Sequence, residues 1–289
     1  MKILVVGGSG LVGGNCLKHF REQGFEVLGT HCNFPGTETV YFDACDLDNT
    51  ANFDFDKSGF HPEVIINCAA LTNVDYCEKN ENISYARTVT SAMNVLKLAL
   101  KFNSKLVYIS TDYVFDGLNG PYTEDSLPNP IGVYGKHKYQ AEQIASDGTQ
   151  NHLIVRVTNV YGDEIQGKNF ISRLINNTLS NPEIKLPIDQ FATPINAFDI
   201  ARALAKLVAD DKTGTYHLGS TDYFNRYQLA FKVKNYLKSS QIKLIPQTTD
   251  LLDQPARRPL RAGLLNFKFL SEYPGFIFTN VDDYLSKYA

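Results

Sequence analysis

Residues 6–13 of the chain read Val-Gly-Gly-Ser-Gly-Leu-Val-Gly and directly follow the apolar run Lys2–Val6. Gly7, Gly10 and Gly13 recur at every third position, whereas the first step of the common dinucleotide fingerprint is two residues. Glycines permit a tight strand-to-helix turn, and they let backbone N–H groups approach a phosphate at the positive end of the helix dipole. The stretch therefore predicts a pyrophosphate-binding turn, rather than a glycine-rich turn without a ligand.

Up to about residue 160, short β-branched runs alternate with longer segments of helical period. This pattern is typical of a parallel sheet with helices on both faces. The predicted strands are Lys2–Val6, Glu26–Gly29, Val40–Asp43, Val64–Asn67, Leu106–Ile109 and Leu153–Val157. The predicted helices are Leu11–Phe20 and Ile83–Lys101. In the second helix the expected buried stripe is Ile83, Ala86, Val89, Met93, Leu96 and Leu100.

The second half of the chain has a looser pattern, in which prolines separate short segments and Ile200–Val208 is the clearest helix. The expected fold is therefore α/β, a doubly wound Rossmann sheet with a smaller C-terminal α/β lobe. We expect a nucleotide-binding domain at 1–160 together with about 195–220. A substrate-binding lobe is expected at 161–194 and 221–289.

The composition is that of a globular protein. Of 289 residues, 43% are hydrophobic and 20% are charged, and a net charge of −3 provides no basic field to attract a nucleic acid. The apolar start of the chain is interrupted by glycines, and no segment approaches the ~20 apolar residues that span a bilayer. We expect a cytoplasmic protein without a nucleic acid or membrane partner. The five cysteines form no CxxC pair, which predicts reduced thiols and no metal site.

The stretch at 133–142 reads Val-Tyr-Gly-Lys-His-Lys-Tyr-Gln-Ala-Glu. On a helix, Tyr134 and Lys138 would lie on one face, one turn apart. A phenol is a poor acid at neutral pH, but an adjacent ammonium favours its anion and would lower its pKa toward the working range. Upstream, a predicted strand ends in Ser110-Thr111, which places hydroxyl groups where α/β proteins bind ligands. A helix cap or turn is the other interpretation of Thr111.

The end of the second predicted strand bears on the choice of dinucleotide. An acidic residue there commonly binds the ribose 2′-hydroxyl of NAD, but this chain has Thr30 and His31 and no carboxylate. Neither side chain would repel a 2′-phosphate, so we expect NADP(H), with NAD(H) as the alternative. Asp46 and Leu47 follow the third strand, where an adenine contact is usual, although a helix cap in this turn is a rival interpretation.

Several motifs together carry a family resemblance. They are the glycine turn, Ser-Thr-Asp-Tyr-Val-Phe-Asp-Gly at 110–117, Val-Tyr-Gly-Lys-His-Lys at 133–138, Asp-Gln-Phe at 189–191 and Arg-Pro at 258–259. With them the chain resembles the extended short-chain dehydrogenase/reductase superfamily and, within it, the dTDP-4-dehydrorhamnose reductase family. The resemblance extends from Lys2 to about Leu264.

The resemblance implies an NAD(P)H-dependent reductase of a 4-keto nucleotide sugar. Its catalytic residues would be Thr111, Tyr134 and Lys138, with Tyr134 as proton donor to the ketone oxygen and Lys138 tuning Tyr134 and holding the nicotinamide ribose. The implied cofactor-binding residues are Gly7, Ser9, Gly10, Leu11, Val12, Gly13, Thr30, His31, Asp46, Leu47, Asn67, Ala69, Ala70, Tyr134 and Lys138. The implied substrate-binding residues are Thr72, Thr111, Asp112, Tyr113, Asn159, Arg257 and Arg258.

The chain departs from the family pattern on the substrate side, because Asn159 stands where the family usually has a tryptophan. One alternative is an NAD-dependent nucleotide-sugar epimerase or dehydratase, favoured by the sequence Asn-Val-Tyr-Gly at 159–162. Another is a non-catalytic regulatory subunit resembling the methionine adenosyltransferase β subunit, against which the intact catalytic residues argue. As an assembly we consider a homodimer, since twofold dimers are the commonest closed oligomers.

Overall fold

Eleven β-strands occur among the described residues of a computed structural model, which are 1–177, 183–237 and 242–288. The strands are β1 (Lys2–Val6), β2 (Glu26–His31), β3 (Thr39–Tyr41), β4 (Val64–Asn67), β5 (Lys105–Thr111), β6 (His152–Val157), β7 (Glu183–Pro187), β8 (Phe191–Ala192), β9 (Gly214–Leu218), β10 (Phe224–Asn225) and β11 (Lys243–Gln247). Seven of them form one parallel sheet in the order β3-β2-β1-β4-β5-β6-β9. The predicted Rossmann sheet is confirmed.

The α-helices described are α1 (Leu11–Glu22), α2 (Phe55–Ser58), α3 (Val74–Lys79), α4 (Glu81–Tyr85), α5 (Ser91–Phe102), α6 (Val133–Gly148), α7 (Phe170–Asn177), α8 (Ala197–Ala209), α9 (Arg226–Tyr236), α10 (Phe267–Glu272) and α11 (Val281–Leu285). A π-helical turn at Ala86–Thr90 joins α4 to α5, and Asp112–Val114, Thr249–Leu251 and Ser286–Tyr288 form 3₁₀ turns. None of the described helices is both long enough and apolar enough to cross a membrane.

The predicted helix at 83–101 is a composite of α4, the π-helical turn and α5, and its expected buried stripe is wrong at both ends. Ile83 and Leu100 are 45% and 56% exposed. The buried side of the first turns instead carries the small polar residues Ser84, Thr88 and Ser91. Such side chains allow close approach to α6, where Ser84 Oγ lies 2.8 Å from His137 Nδ1. A prediction of the buried face from apolar residues alone therefore identifies the wrong face of the helix, one that lies next to the buried face and is partly exposed.

The central sheet separates two apolar cores because successive residues of a strand point to opposite faces. Ile3 and Val5 pack with residues of α1 and α8, whereas Leu4 and Val6 pack with residues of α5 and α6. β9 extends the sheet beside β6. The two cores hold the carboxyl ends of the parallel strands at one edge of the sheet.

The lobe has a separate core formed by residues of α7, α9 and α11, with β7 paired to β11 and β8 to β10. Phe269, Phe276 and Phe278 pack instead in the core under the large sheet, together with α1 and α8. A part of the predicted 221–289 segment thus lies against the nucleotide-binding domain. Residues 178–182, 238–241 and 289 of the predicted lobe fall outside the described residues. The division into domain and lobe stays a prediction.

Candidate active site

The glycine turn has the backbone shape that its sequence requires. Gly7 has a φ of 81°, which favours glycine, and its carbonyl accepts a hydrogen bond of 3.1 Å from Gly10 N. Gly10 caps α1 without a side-chain hydrogen bond, and the first turn of the helix carries no acidic residue. The backbone N–H groups at this end therefore have no side-chain acceptor of their own, which fits a bound pyrophosphate.

Two neighbouring glycines of α1 differ sharply in the space around them, and this gives a stability test. A Cβ at Gly13 would lie 2.3 Å from Gly7 O, whereas a Cβ at Gly14 would meet its nearest atom, Gly8 O, at 3.5 Å. Gly13→Ala is expected to lower the free energy of unfolding by about 1–3 kcal/mol through overpacking. Gly14→Ala is expected to be neutral or to stabilise by up to about 1 kcal/mol through helix propensity. Denaturant unfolding measures both, and coincident midpoints would contradict the prediction.

The end of β2 lies against the glycine turn, but its predicted ribose-binding side chains are engaged within the protein. The buried Thr30 accepts a 3.3 Å hydrogen bond from Gly7 N at its hydroxyl. His31 Nδ1 lies 2.7 Å from Thr39 Oγ1, and its ring packs edge-on against Tyr41. Thr30 thus supports the turn, and His31 faces β3.

The other predicted cofactor contacts fall into two groups. Asn67 ends β4 and accepts a 3.1 Å hydrogen bond from Ala69 N, and Ala69 lies directly against Gly7. This brings the 67–70 segment beside the glycine turn. Asp46 and Leu47 are exposed beyond β3, where Asp46 accepts a 3.2 Å hydrogen bond from the backbone of Asp48. That bond closes an Asx turn, while the next helix, α2, begins only at Phe55, so the rival interpretation of a helix cap in this turn is wrong.

Thr111, Tyr134 and Lys138 meet at the carboxyl end of β5. Thr111 ends the strand, and its hydroxyl donates a 3.2 Å hydrogen bond to Asp112 Oδ1 and accepts one of 3.3 Å from Tyr113 N. The same hydroxyl lowers the pKa of Tyr134, near the start of α6. One turn later, Lys138 Nζ donates a 2.6 Å hydrogen bond to Ile109 O and lies 4.2 Å from the centre of the Tyr108 ring. All three predicted catalytic side chains are buried. The structure therefore brings together the hydroxyl, phenol and ammonium groups that the sequence placed on separate elements.

The start of α6 is fixed by contacts with two other segments. Gly132 caps the helix without a side chain, and Glu78 of α3 accepts a 3.0 Å hydrogen bond from Val133 N instead. Gly135 lies so close to the 112–114 turn that a Cβ would be 2.2 Å from Tyr113 O. These contacts set the depth at which α6 places Tyr134 relative to Thr111.

Burial controls the electrostatics of this group. It raises the pKa of Tyr134 well above the usual range of a phenol, and the Thr111 hydroxyl opposes this shift. Burial also lowers the pKa of Lys138 to about 7, against the carboxylate of Glu142, which raises it. The expectation that Lys138 would lower the pKa of Tyr134 is wrong for this site, because desolvation of the phenolate outweighs other effects. Tyr134 is thus held as a neutral phenol, the form that donates a proton.

A small polar cleft lies beside the 112–113 segment. Asp112 is buried, accepts a 2.5 Å hydrogen bond from Thr158 Oγ1 and has its pKa raised by desolvation. The ring of Tyr113 packs edge-on against Tyr134, with centroids 5.5 Å apart. Asn159, with a φ of 40°, accepts a 2.5 Å hydrogen bond from Arg226 Nη2. Asp112, Tyr113, Asn159 and Arg226 all line this cleft.

Two guanidinium groups act on the cleft. Burial raises the pKa of Tyr113, and the positive charges of Arg258 and Arg226 oppose this shift. Arg258 Nη2 lies 2.6 Å from Asp75 Oδ2, while its buried Nη1 has no hydrogen-bond partner among the described residues. The predicted substrate residues Thr72 and Arg257 are exposed at the surface.

Sequence reasoning missed several charged residues around the site. Arg226 was hidden because it begins a lobe helix with no motif of its own. Glu142 follows Lys138 by one helical turn and binds Arg156 of β6. A charged residue in a segment predicted to be buried needs a partner of opposite charge, and this signal in the sequence could have identified the pair. Within the described residues, no three His, Cys, Asp or Glu side chains are grouped in a way that could hold a metal ion.

Comparison with known proteins places these features in a family. Residues 1–280 match the sequence model of the family described as RmlD substrate binding domain. A solved dTDP-4-dehydrorhamnose reductase from Clostridium acetobutylicum is 32% identical, with a TM-score of 0.84, covering 100% of this chain and 98% of that chain. A second one, from Bacillus anthracis and in complex with NADP, is 26% identical with a TM-score of 0.85, covering 99% and 98%.

Relatives of similar sequence identity to this chain include a subunit of another enzyme and a probable reductase. Methionine adenosyltransferase 2 subunit beta of Xenopus laevis is 29% identical over 256 residues, covering 86% of this chain and 76% of that protein. A protein of Haloferax volcanii named as a probable low-salt glycan biosynthesis reductase is 28% identical over 268 residues, covering 91% and 89%. The chain therefore belongs to the RmlD substrate binding domain family and is an NAD(P)-dependent oxidoreductase of the extended short-chain dehydrogenase/reductase type, which confirms the resemblance carried by its motifs.

Proposed function

We propose that the chain reduces the ketone of a 4-keto nucleotide sugar with NADPH, as a dTDP-4-dehydrorhamnose reductase does. The observation that carries this proposal is the meeting of Thr111, Tyr134 and Lys138 at the carboxyl edge of the sheet that also holds the glycine turn. Open α/β sheets bind their ligands at that edge. The same proposal assigns the predicted cofactor residues to the dinucleotide and places the sugar over Tyr134.

The protein's part in the reaction follows from the state of these side chains. When bound, the dinucleotide supplies the hydride. Tyr134, kept neutral by burial, donates its proton to the ketone oxygen, and Thr111 donates a hydrogen bond to that oxygen. Lys138 stabilises the phenolate left on Tyr134 when its ammonium is charged. Burial of all three groups excludes water from the reacting atoms.

The substrate class is supported by charge in the cleft. A nucleotide sugar carries a diphosphate, and guanidinium groups bind phosphate oxygens in a forked geometry. Arg226 and Arg258 supply such donors beside Tyr113, and Nη1 of Arg258 has no hydrogen-bond partner in the part of the chain that the structure describes. We assign Thr72, Asp112, Asn159 and Arg257 to the substrate side as well, on the family pattern. A homodimer and a cytoplasmic location stay predictions.

The direct test is reduction of a 4-keto nucleotide sugar by the purified chain. We expect dTDP-4-dehydrorhamnose, or a keto sugar on another nucleotide, to be reduced with one NADPH consumed per sugar, measured by the absorbance of the reduced nicotinamide and by mass spectrometry of the product. Sugar conversion without net NADPH consumption would indicate an epimerase or dehydratase. Failure to turn over any keto nucleotide sugar would overturn the proposal.

Similarity to methionine adenosyltransferase 2 subunit beta favours a second candidate, a subunit that binds a synthetase. The two candidates differ in what Tyr134 does, because a binding subunit has no need of its proton. Stable co-purification with a synthetase, together with no keto-sugar turnover by the wild-type chain, would support the subunit. Keto-sugar reduction that is lost in Tyr134→Phe would support the reductase.

The pKa of Lys138 predicts a pH dependence of the reaction. The ammonium is charged below its pKa of about 7, so kcat/KM for reduction is expected to be high below that pH and to fall as the pH rises through it. Glu142→Gln removes a carboxylate that raises the pKa of Lys138, which should move the fall to lower pH. The pH profiles of both proteins, recorded where circular dichroism shows them folded, test this. A displacement toward higher pH would contradict the assignment.

A further inference from the structure

A single guanidinium lies across the ends of β2 and β3. Arg87, in the π-helical turn between α4 and α5, donates a 3.4 Å hydrogen bond from Nη1 to Cys32 Sγ, and the same nitrogen lies 3.2 Å from Asp43 Oδ1. Cys32 directly follows β2, and Asp43 lies just beyond β3. π-Helical turns are rare and are often found at functional sites.

We propose that Arg87 is the residue that selects the phosphorylated dinucleotide, by binding the 2′-phosphate of its adenosine ribose. This inference rests on the proposed function, since it concerns the cofactor of that reaction. In Rossmann domains the end of the second strand lies beside this ribose, where a carboxylate binds the 2′-hydroxyl of NAD and an arginine accommodates the 2′-phosphate of NADP. Arg87 reaches that position from a different segment of the chain.

The residues of β2 itself are unsuited to the task. Thr30 is buried and its hydroxyl is used by Gly7 N, and His31 Nδ1 is used by Thr39. Thr30 is 1% exposed, so its O–H is not accessible to a phosphate, and the Nδ1 atom of His31 faces Thr39. Arg87 carries a permanent positive charge, and its side chain is 38% exposed.

The groups around Arg87 leave its guanidinium able to bind an anion. Asp43 is the carboxylate paired with it, is 17% exposed and is anchored by a 3.0 Å hydrogen bond from Cys45 N. Burial raises the pKa of the nearby Cys45 thiol to about 11, so this thiol is neutral. Within the described part of the chain, the side-chain hydrogen bonds of Arg87 all use Nη1. The Nε and Nη2 edge of the guanidinium is therefore available for the forked binding of a phosphate.

The test compares binding of NADPH and NADH to purified wild-type chain, Arg87→Ala and Arg87→Gln by calorimetry, without substrate. Both variants are expected to weaken NADPH binding by at least about tenfold, as loss of a charge-assisted contact implies, and to leave NADH binding within about twofold. Arg87→Gln keeps most of the side-chain volume and guards against a folding defect in Arg87→Ala. Arg202→Ala is the matched control, because Arg202 is 35% exposed and paired with Asp199 in α8. It should leave both affinities unchanged.

The outcomes separate this inference from the proposed function. If the wild-type chain binds dinucleotides but the Arg87 variants change NADPH and NADH affinity equally, or change neither, the assignment of Arg87 is overturned while the reductase proposal stands. If the wild-type chain binds NADH more tightly than NADPH, Asp43 would be the residue that reads the ribose, which also overturns the assignment. A wild-type chain that binds neither dinucleotide would overturn both.

Discussion

Tyr134→Phe is expected to lower kcat for ketone reduction by about 10²- to 10⁴-fold, the usual contribution of a positioned general acid. The variant removes one oxygen from a buried side chain whose ring packs against Tyr113. The ring contacts stay, so binding of NADPH should change by less than about threefold. Steady-state kinetics and cofactor titration measure the two effects separately.

Tyr139 provides a matched control for this substitution. It lies on the same helix and its ring packs in a separate cluster with Val114 and Phe115. Tyr139→Phe should therefore keep kcat within about twofold of wild type. If Tyr134→Phe retained more than a tenth of the wild-type kcat, another group would have to donate the proton.

Arg156→Met is expected to lower the free energy of unfolding by about 3–5 kcal/mol, because it leaves the carboxylate of Glu142 buried without its partner. In the folded chain Arg156 Nε and Nη2 donate to the two carboxylate oxygens at 2.9 and 2.7 Å. The two side chains are 7% and 3% exposed, so water cannot replace the lost contact. Urea or guanidinium unfolding with linear extrapolation measures the loss.

Two further variants test whether the loss of stability comes from leaving the carboxylate of Glu142 buried without its partner. The double variant Arg156→Met with Glu142→Leu removes both charges and should recover much of the lost stability. Lys243→Met breaks the exposed pair of Lys243 with Glu183, whose side chains are 68% and 54% exposed, and should cost no more than about 1 kcal/mol. Equal losses at the buried and exposed sites would contradict the burial argument.

The pair between Glu142 and Arg156 also joins the catalytic helix to the edge of the sheet. Arg156 of β6 lies 3.3 Å from His217 Nε2 of β9, and His217 Nδ1 lies 3.0 Å from Tyr122 O. Burial and the charge of Arg156 lower the pKa of His217 to about 3. The imidazole is therefore neutral across the pH range in which Lys138 titrates, and the pH dependence predicted for reduction does not arise from His217.

The strands and the glycine turn could be predicted because their signals are local. β-Branched runs and glycine spacing are properties of adjacent residues, and all six predicted strands are present, with β3 ending two residues earlier than expected. The proposed catalytic residues could be predicted for a similar reason, since Tyr134 and Lys138 share one helix. Thr111 joined them only because strand ends in such sheets share an edge.

The charged residues around the site could not be predicted in the same way. Arg87 and Asp43 are 44 positions apart, and their contact depends on a π-helical turn that leaves no apolar pattern. The orientation of His31 toward Thr39 likewise depends on how β2 pairs with β3. Such contacts belong to the packing of segments rather than to the spacing of residues within one segment.

The core beneath the large sheet has a consequence for how the chain can be synthesised. Residues 1–160 contain the glycine turn and the proposed catalytic residues, but one apolar face of their sheet is covered by α8 and by Phe269, Phe276 and Phe278. A nascent chain released from the ribosome at residue 160 would expose that face to water, which favours aggregation. We therefore expect the predicted nucleotide-binding domain to finish folding only after translation has passed Phe278.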